Sequence, residues 1–142
     1  MRLIVLAVGR IRERGMRETA DEYLGRIRRY VAIDEIELKE GSAASVARRI
    51  PEGARVIVLD AGGKAHTSPG FARHIARLSS QGKGVIVFVI GGADGVPADV
   101  AVLSHERFSL STMTLPHRLA RVVLLEQLYR AMTILRGEPY PR

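Results

Sequence analysis

The chain contains no cysteine, which removes disulfides, thiolate metal ligands and cysteine nucleophiles from consideration. Long apolar runs are also missing. The N-terminal run, residues 3–8, ends at Gly9 after six residues, too short for a signal sequence and far short of a membrane span. A cytoplasmic, membrane-free protein is therefore expected. Lysine is scarce, occurring only at positions 39, 64 and 83, so 19 of the 22 basic residues are arginine. Several catalytic signatures are absent as well. No GxxxxGKS/T loop is present, which argues against a nucleotide triphosphatase, and no GxGxxG opens a helix after a strand. Ser111 lacks the GxSxG setting of a hydrolase elbow. The four histidines (66, 74, 105, 117) and the aspartates show no metal-ligand spacing, so no metal is expected.

What is present is a basic, ordinary globular composition. Formal charge is +7 on 142 residues, with 46% hydrophobic and 26% charged residues, enough chain to bury one core as a single domain, 1–142. Excess arginine suits a polyanionic partner, because its planar fork matches phosphate and stacks on bases. A GC-rich genome would leave the same bias, so charge alone leaves RNA or ribosome binding open.

RLIVLAV (2–8), ARVIVLDA (54–61) and GVIVFVI (84–90), the last uninterruptedly apolar after its glycine, fit strands buried on both faces of a parallel sheet. DEIELKE (34–40) alternates and fits a strand with one wet face; RFSLS (107–111) fits a shorter one. Helical periodicity covers 14–29, 42–50, 68–78, 97–103 and 116–136, the last stopped by Gly137 and Pro139. Strand and helix alternate throughout, so the expected class is α/β, with a mainly parallel sheet flanked by helices. The final helix is apolar around most of its circumference. Such a helix needs cover on two sides, expected here from the sheet and from a second subunit.

Ligands of parallel sheets gather at the carboxyl ends of the strands. Three segments end strands there: LDAGGK (59–64), IGGADG (90–95) and SLSTMT (109–114). Their glycines permit close backbone approach, although tight turns use glycine in the same way. Arg10, Arg12, Arg14 and Arg17 cluster after the first strand and fit either phosphate contacts or a solvated basic surface. Glu126 and Arg130 have the spacing of a helix ion pair.

IGGADG, followed by LSTMTLPHRLARVVLLEQLYRA (110–131) and the terminal GEPYPR (137–142), closely resembles the ribosomal RNA large-subunit methyltransferase H family. This is the small branch of the SPOUT methyltransferases. MRLIVLAVGR (1–10) and VIVLDAGGK (56–64) extend the likeness over essentially the whole chain. The resemblance implies a C-terminal trefoil knot, a homodimer that completes the active site, and S-adenosylmethionine held by the knot loops. Carried over by position, Leu59, Gly91, Leu110, Ser111, Thr112, Met113, Thr114 and Leu115 would contact that cofactor. The implied reaction is methyl transfer to N3 of a pseudouridine in helix 69 of 23S ribosomal RNA, on assembled ribosomes.

The C-terminus departs from the family pattern. Relatives usually end in Tyr-His and a basic residue, whereas this chain ends Tyr140, Pro141, Arg142. Tyr140 and Arg142 are therefore expected to position the nucleotide, with no single side chain an obligatory base. Two other readings remain: a non-catalytic ribosome- or RNA-binding protein of the same fold, and a methyltransferase of another RNA such as tRNA.

Overall fold

A computed structural model describes residues 1–140. Ten elements follow one another: β1 (Arg2–Val8), α1 (Arg14–Ile27), β2 (Ala32–Leu38), α2 (Ala43–Ala47), β3 (Arg55–Ala65), α3 (Ser68–Ser79), β4 (Val85–Ile90), α4 (Ala98–Ala101), β5 (Glu106–Ser109) and α5 (His117–Arg136). The strands form one sheet in the order β2-β1-β4-β3-β5, with every pairing parallel. The expected class is observed. The most apolar runs, β1 and β4, occupy interior positions, as burial on both faces requires.

Alternation along the strands divides the core in two. Leu3, Val5, Ile57, Ile86 and Phe88 face a layer made by α1, α3 and α5. Ile4, Leu6, Val56, Val58, Val87 and Val89 face the opposite way, where Val46 of α2 and Val100 of α4 cover them. Local signals place the helices: Ser42 and Thr67 cap α2 and α3 by accepting from Ser45 N and Gly70 N.

Two expectations are corrected. β2 begins two residues earlier than the polar alternation suggested, because Ile33 supplies its buried face. β3 does not end in a loop at 61. It continues to Ala65 through a bulge between Leu59 and Lys64, both of which stand opposite Phe108. A Cβ on Gly63 would meet the Arg107 carbonyl carbon at 2.7 Å, so that glycine serves strand-to-strand approach. On the sheet, α5 has helices of its own chain beside it, while Leu119, Ile134 and Leu135 keep an exposed apolar face. It packs against both α1 and α3, and Leu124, Leu125 and Leu128 are fully buried.

No described helix is long and apolar enough to cross a membrane.

Candidate functional site

Beyond the carboxyl ends of β3, β4 and β5 lies a cavity of about 610 Å³. Its walls come from three stretches: Leu59 to Ala61 at the β3 bulge, Ile90 to Val96 after β4, and Phe108 to Ala120 across the β5–α5 connection and into α5. Leu59, Ile90, Phe108, Leu110 and Leu115 make it largely apolar. Its size falls within the roughly 300–1,000 Å³ of small-molecule sites.

The tightest part is the turn after β4. A Cβ on Gly91 would stand 2.3 Å from both the carbonyl carbon and the oxygen of Gly95, closer than any side-chain carbon tolerates. Gly92 and Gly95 bridge to one another, with Gly95 N donating to Gly92 O at 3.0 Å. The turn therefore folds back on itself and offers main chain, not side chain, to the cavity. The wall after β5 is braced by a serine. Ser111 Oγ accepts from Met113 N at 2.9 Å, and Ser109 Oγ donates to the Ser111 carbonyl at 2.9 Å.

Of the eight residues expected to hold the cofactor, Leu59, Gly91, Leu110, Ser111, Met113, Thr114 and Leu115 line this cavity together. Thr112 is exposed and off the wall. Gly62, Gly63 and Asp94 also lie outside the lining. Asp60, Phe108 and His117 belong to it although none is a family-matched cofactor position. Strand order was the missing information, since β5 beside β3 brings Phe108 opposite Leu59.

Two titratable groups tune the cavity's electrostatics. The Asp60 carboxylate accepts from Gly62 N at 2.9 Å and from Arg107 Nη1 at 2.9 Å. These contacts hold its pKa below the ordinary carboxylate value, the backbone bond first and the guanidinium second. His117, in the first turn of α5, is pushed below the ordinary imidazole value by burial and then by the charges of Arg118 and Arg121. Its Nδ1 is buried and has no hydrogen-bond partner among the described residues.

Tyr140 is placed elsewhere. Its hydroxyl donates to Glu126 Oε2 at 3.0 Å, its ring lies edge-on to Tyr129 at 4.7 Å, and the Arg130 guanidinium carbon lies 4.6 Å from its ring centre. Burial, and then hydrogen bonding with Tyr23 and Glu126, raise its pKa, so it remains a phenol. Glu126 is nine residues along α5 from His117, about 14 Å of helix. Tyr140 therefore lies away from its own chain's cavity, beside a second groove shared with Ser68, Gln127 and Arg130. Arg142, expected beside it, lies outside the described residues. The Glu126–Arg130 pair forms at 2.6 Å. Among the described residues no cluster of three His, Cys, Asp or Glu could hold a metal.

A family model described as "Predicted SPOUT methyltransferase" matches residues 1–141. The chain belongs to the SPOUT methyltransferase family. Within it, the chain is 58% identical over 143 residues to the "Ribosomal RNA large subunit methyltransferase H" of Sorangium cellulosum, covering 99% of both chains. Proteins of the same name from Anaeromyxobacter dehalogenans and from a Geobacter species are 43% and 41% identical over 99% of this chain, and over 99% and 98% of their own lengths. These relatives place it in the large-subunit methyltransferase H branch of the SPOUT family. Among solved structures, a probable methylase family protein from Haemophilus influenzae superposes with a TM-score of 0.61 at 11% identity. That match spans 99% of this chain and 72% of the other. TrmJ from Z. mobilis gives 0.55 at 10% identity over 100% and 73%. At such low identity both matches speak for the fold alone.

Proposed function

We propose that this SPOUT protein is a homodimeric ribosomal RNA methyltransferase that uses S-adenosylmethionine to methylate N3 of a pseudouridine in helix 69 of 23S RNA, on assembled ribosomes in the cytoplasm. The observation that carries the reading is the convergence of seven of the eight family-matched residues on one cavity. The relatives' name supplies the substrate class.

The residues present fit the cofactor. Leu59, Leu110 and Leu115 provide apolar surface for the two faces of an adenine, and main-chain groups of Gly91 and residues 110–115 provide donors and acceptors for its edge. Asp60 supplies a carboxylate to the same cavity, suited to a cationic ligand. When bound, S-adenosylmethionine supplies an electrophilic methyl group. The chain's own contribution is then to fix geometry, because an in-line displacement gains most from aligned reactants. The loop around the cavity is the proposed knot, threaded by α5.

Tyr140 cannot serve the cavity of its own chain from where it is held. A site completed by the tail of a second copy fits this placement: Tyr140 and Arg142 of one protomer would position the nucleotide over the cavity of the other. Tyr140 as a neutral phenol is suited to hydrogen bonding, not to proton abstraction, which fits a site without an obligatory base.

The test is transfer of labelled methyl from S-adenosylmethionine to ribosomes lacking the modification, with tRNA and isolated large-subunit RNA in parallel. Label confined to the ribosome supports the reading. Label on tRNA alone would replace its substrate. Cofactor binding without label on any RNA would favour a non-catalytic binder, with Pro141 in place of histidine the first suspect.

A further inference from the structure

The four arginines that follow β1 divide into two pairs with different surroundings. Arg17 lies among carboxylates, 2.5 Å from Glu35, 2.8 Å from Asp21 and 3.3 Å from Glu37. Arg14 pairs with Glu18 at 2.9 Å on the outer face of α1. Arg10 and Arg12 are exposed and form no ion pair among the described residues. Both stand on the short connection 9–13, whose one opposing charge is the exposed Glu13.

That connection is held from beneath. Arg121 of α5 is 1% exposed. Its Nη2 donates to the Gly9 carbonyl at 2.9 Å and its Nη1 to Glu37 at 2.5 Å, while the same Glu37 oxygen accepts from Ile11 N at 3.0 Å. Ile11 itself is buried. The backbone on both sides of Arg10 is therefore fixed by one buried guanidinium–carboxylate pair. Within that network Arg17 and Arg121 offset Glu35 and Glu37, so the positive charge of Arg10 and Arg12 is not spent internally.

The pinned loop is next to the cavity. A Cβ on Gly9 would lie 4.0 Å from His117 Cε1, and one on Gly92 would lie 3.4 Å from Val8 Cγ1; His117 and Gly92 both line the wall. A buried ion pair that fixes an exposed loop adds little stability over an apolar replacement. It does hold the loop's two free forks in place, and such forks suit phosphate oxygens.

We infer that residues 9–13 form a preorganised rim through which Arg10 and Arg12 grip phosphodiesters of the RNA strand whose base enters the cavity. This rests on the RNA-methyltransferase reading above and extends it to a substrate-binding element of this chain.

The test uses the full-length wild type, R10Q/R12Q, R10K/R12K and R14Q, with all four melting temperatures checked for equivalence. Retention of labelled large-subunit RNA is measured across a salt series, together with S-adenosylmethionine affinity and methyl transfer. Each lost phosphate contact makes the log–log salt slope shallower by about one. R10Q/R12Q should therefore flatten it by roughly one to two and raise KM for RNA, with kcat and cofactor affinity unchanged. R10K/R12K should restore most of the slope, and R14Q should behave as wild type. An unchanged slope in R10Q/R12Q, an equal effect of R14Q, or no RNA retention by the wild type overturns the inference. RNA retention that depends on Arg10 and Arg12 without methyl transfer by the wild type would sink the enzymatic reading and leave this one standing.

Discussion

The Gly91 turn shows how little freedom the cavity wall has. Any side chain at that position drives a carbon into the Gly95 peptide at 2.3 Å, and both partners are main chain, which cannot swing aside. Gly91→Ala should therefore open the turn. We expect S-adenosylmethionine affinity to fall at least about tenfold, equivalent to about 1.4 kcal/mol, by calorimetric titration. Thr112→Ala, in the same hydroxyl-rich run but exposed, should change affinity less than about twofold, about 0.4 kcal/mol. Equal losses in both variants would move the cofactor's seat away from the Gly91 turn. At this scale the sequence was legible where chemistry follows from residue type. Seven of eight family-matched positions line the cavity, and the glycine pair 91–92 was visible as a main-chain wall. Gly62 and Gly63 looked alike in sequence, yet they serve a strand bulge, because which glycine faces a ligand depends on the strand that pairs beside it.

At the level of elements, α5 ties together one layer of the fold. Its apolar residues wedge between α1 and α3, while Arg121 reaches through the core to β2 and to the loop after β1. Removing that guanidinium leaves Glu37 and the Gly9 carbonyl short of a partner. Arg121→Met should cost about 3–5 kcal/mol in urea unfolding, the usual penalty for breaking one side of a buried pair. Adding Glu37→Gln should recover part of that loss, because the remaining group is then neutral. An Arg121→Met chain as stable as wild type would show that the network does not constrain the fold. Periodicity announced α5 within a residue of its observed bounds. It did not announce that α1 and α3 flank the helix, since a broad apolar circumference does not say which elements lie beside it. A buried arginine was equally hidden: its carboxylate partners lie 84 and 86 residues away, beyond the reach of any local pattern.

For the whole molecule, parallel topology gathers three loops at the carboxyl ends of the strands, and Tyr140 lies away from them against Glu126 of α5. A charge of +7 then acts as a steering field toward RNA, and the pinned Arg10–Arg12 loop gives part of that field a fixed position beside the cavity. The alternation of strand and helix made the class readable from sequence. Strand order, and with it the separation of Tyr140 from its own cavity, was not readable, because nothing local encodes which strands become neighbours.

The most direct measurement is nucleoside mass spectrometry of large-subunit RNA from ribosomes methylated by the purified protein. The predicted result is a single new nucleoside, N3-methylpseudouridine, at a helix 69 position, formed in much smaller amount at limiting S-adenosylmethionine when Gly91→Ala replaces the wild type. A methyl group on another atom or another nucleotide, or undiminished product from Gly91→Ala, would contradict the account.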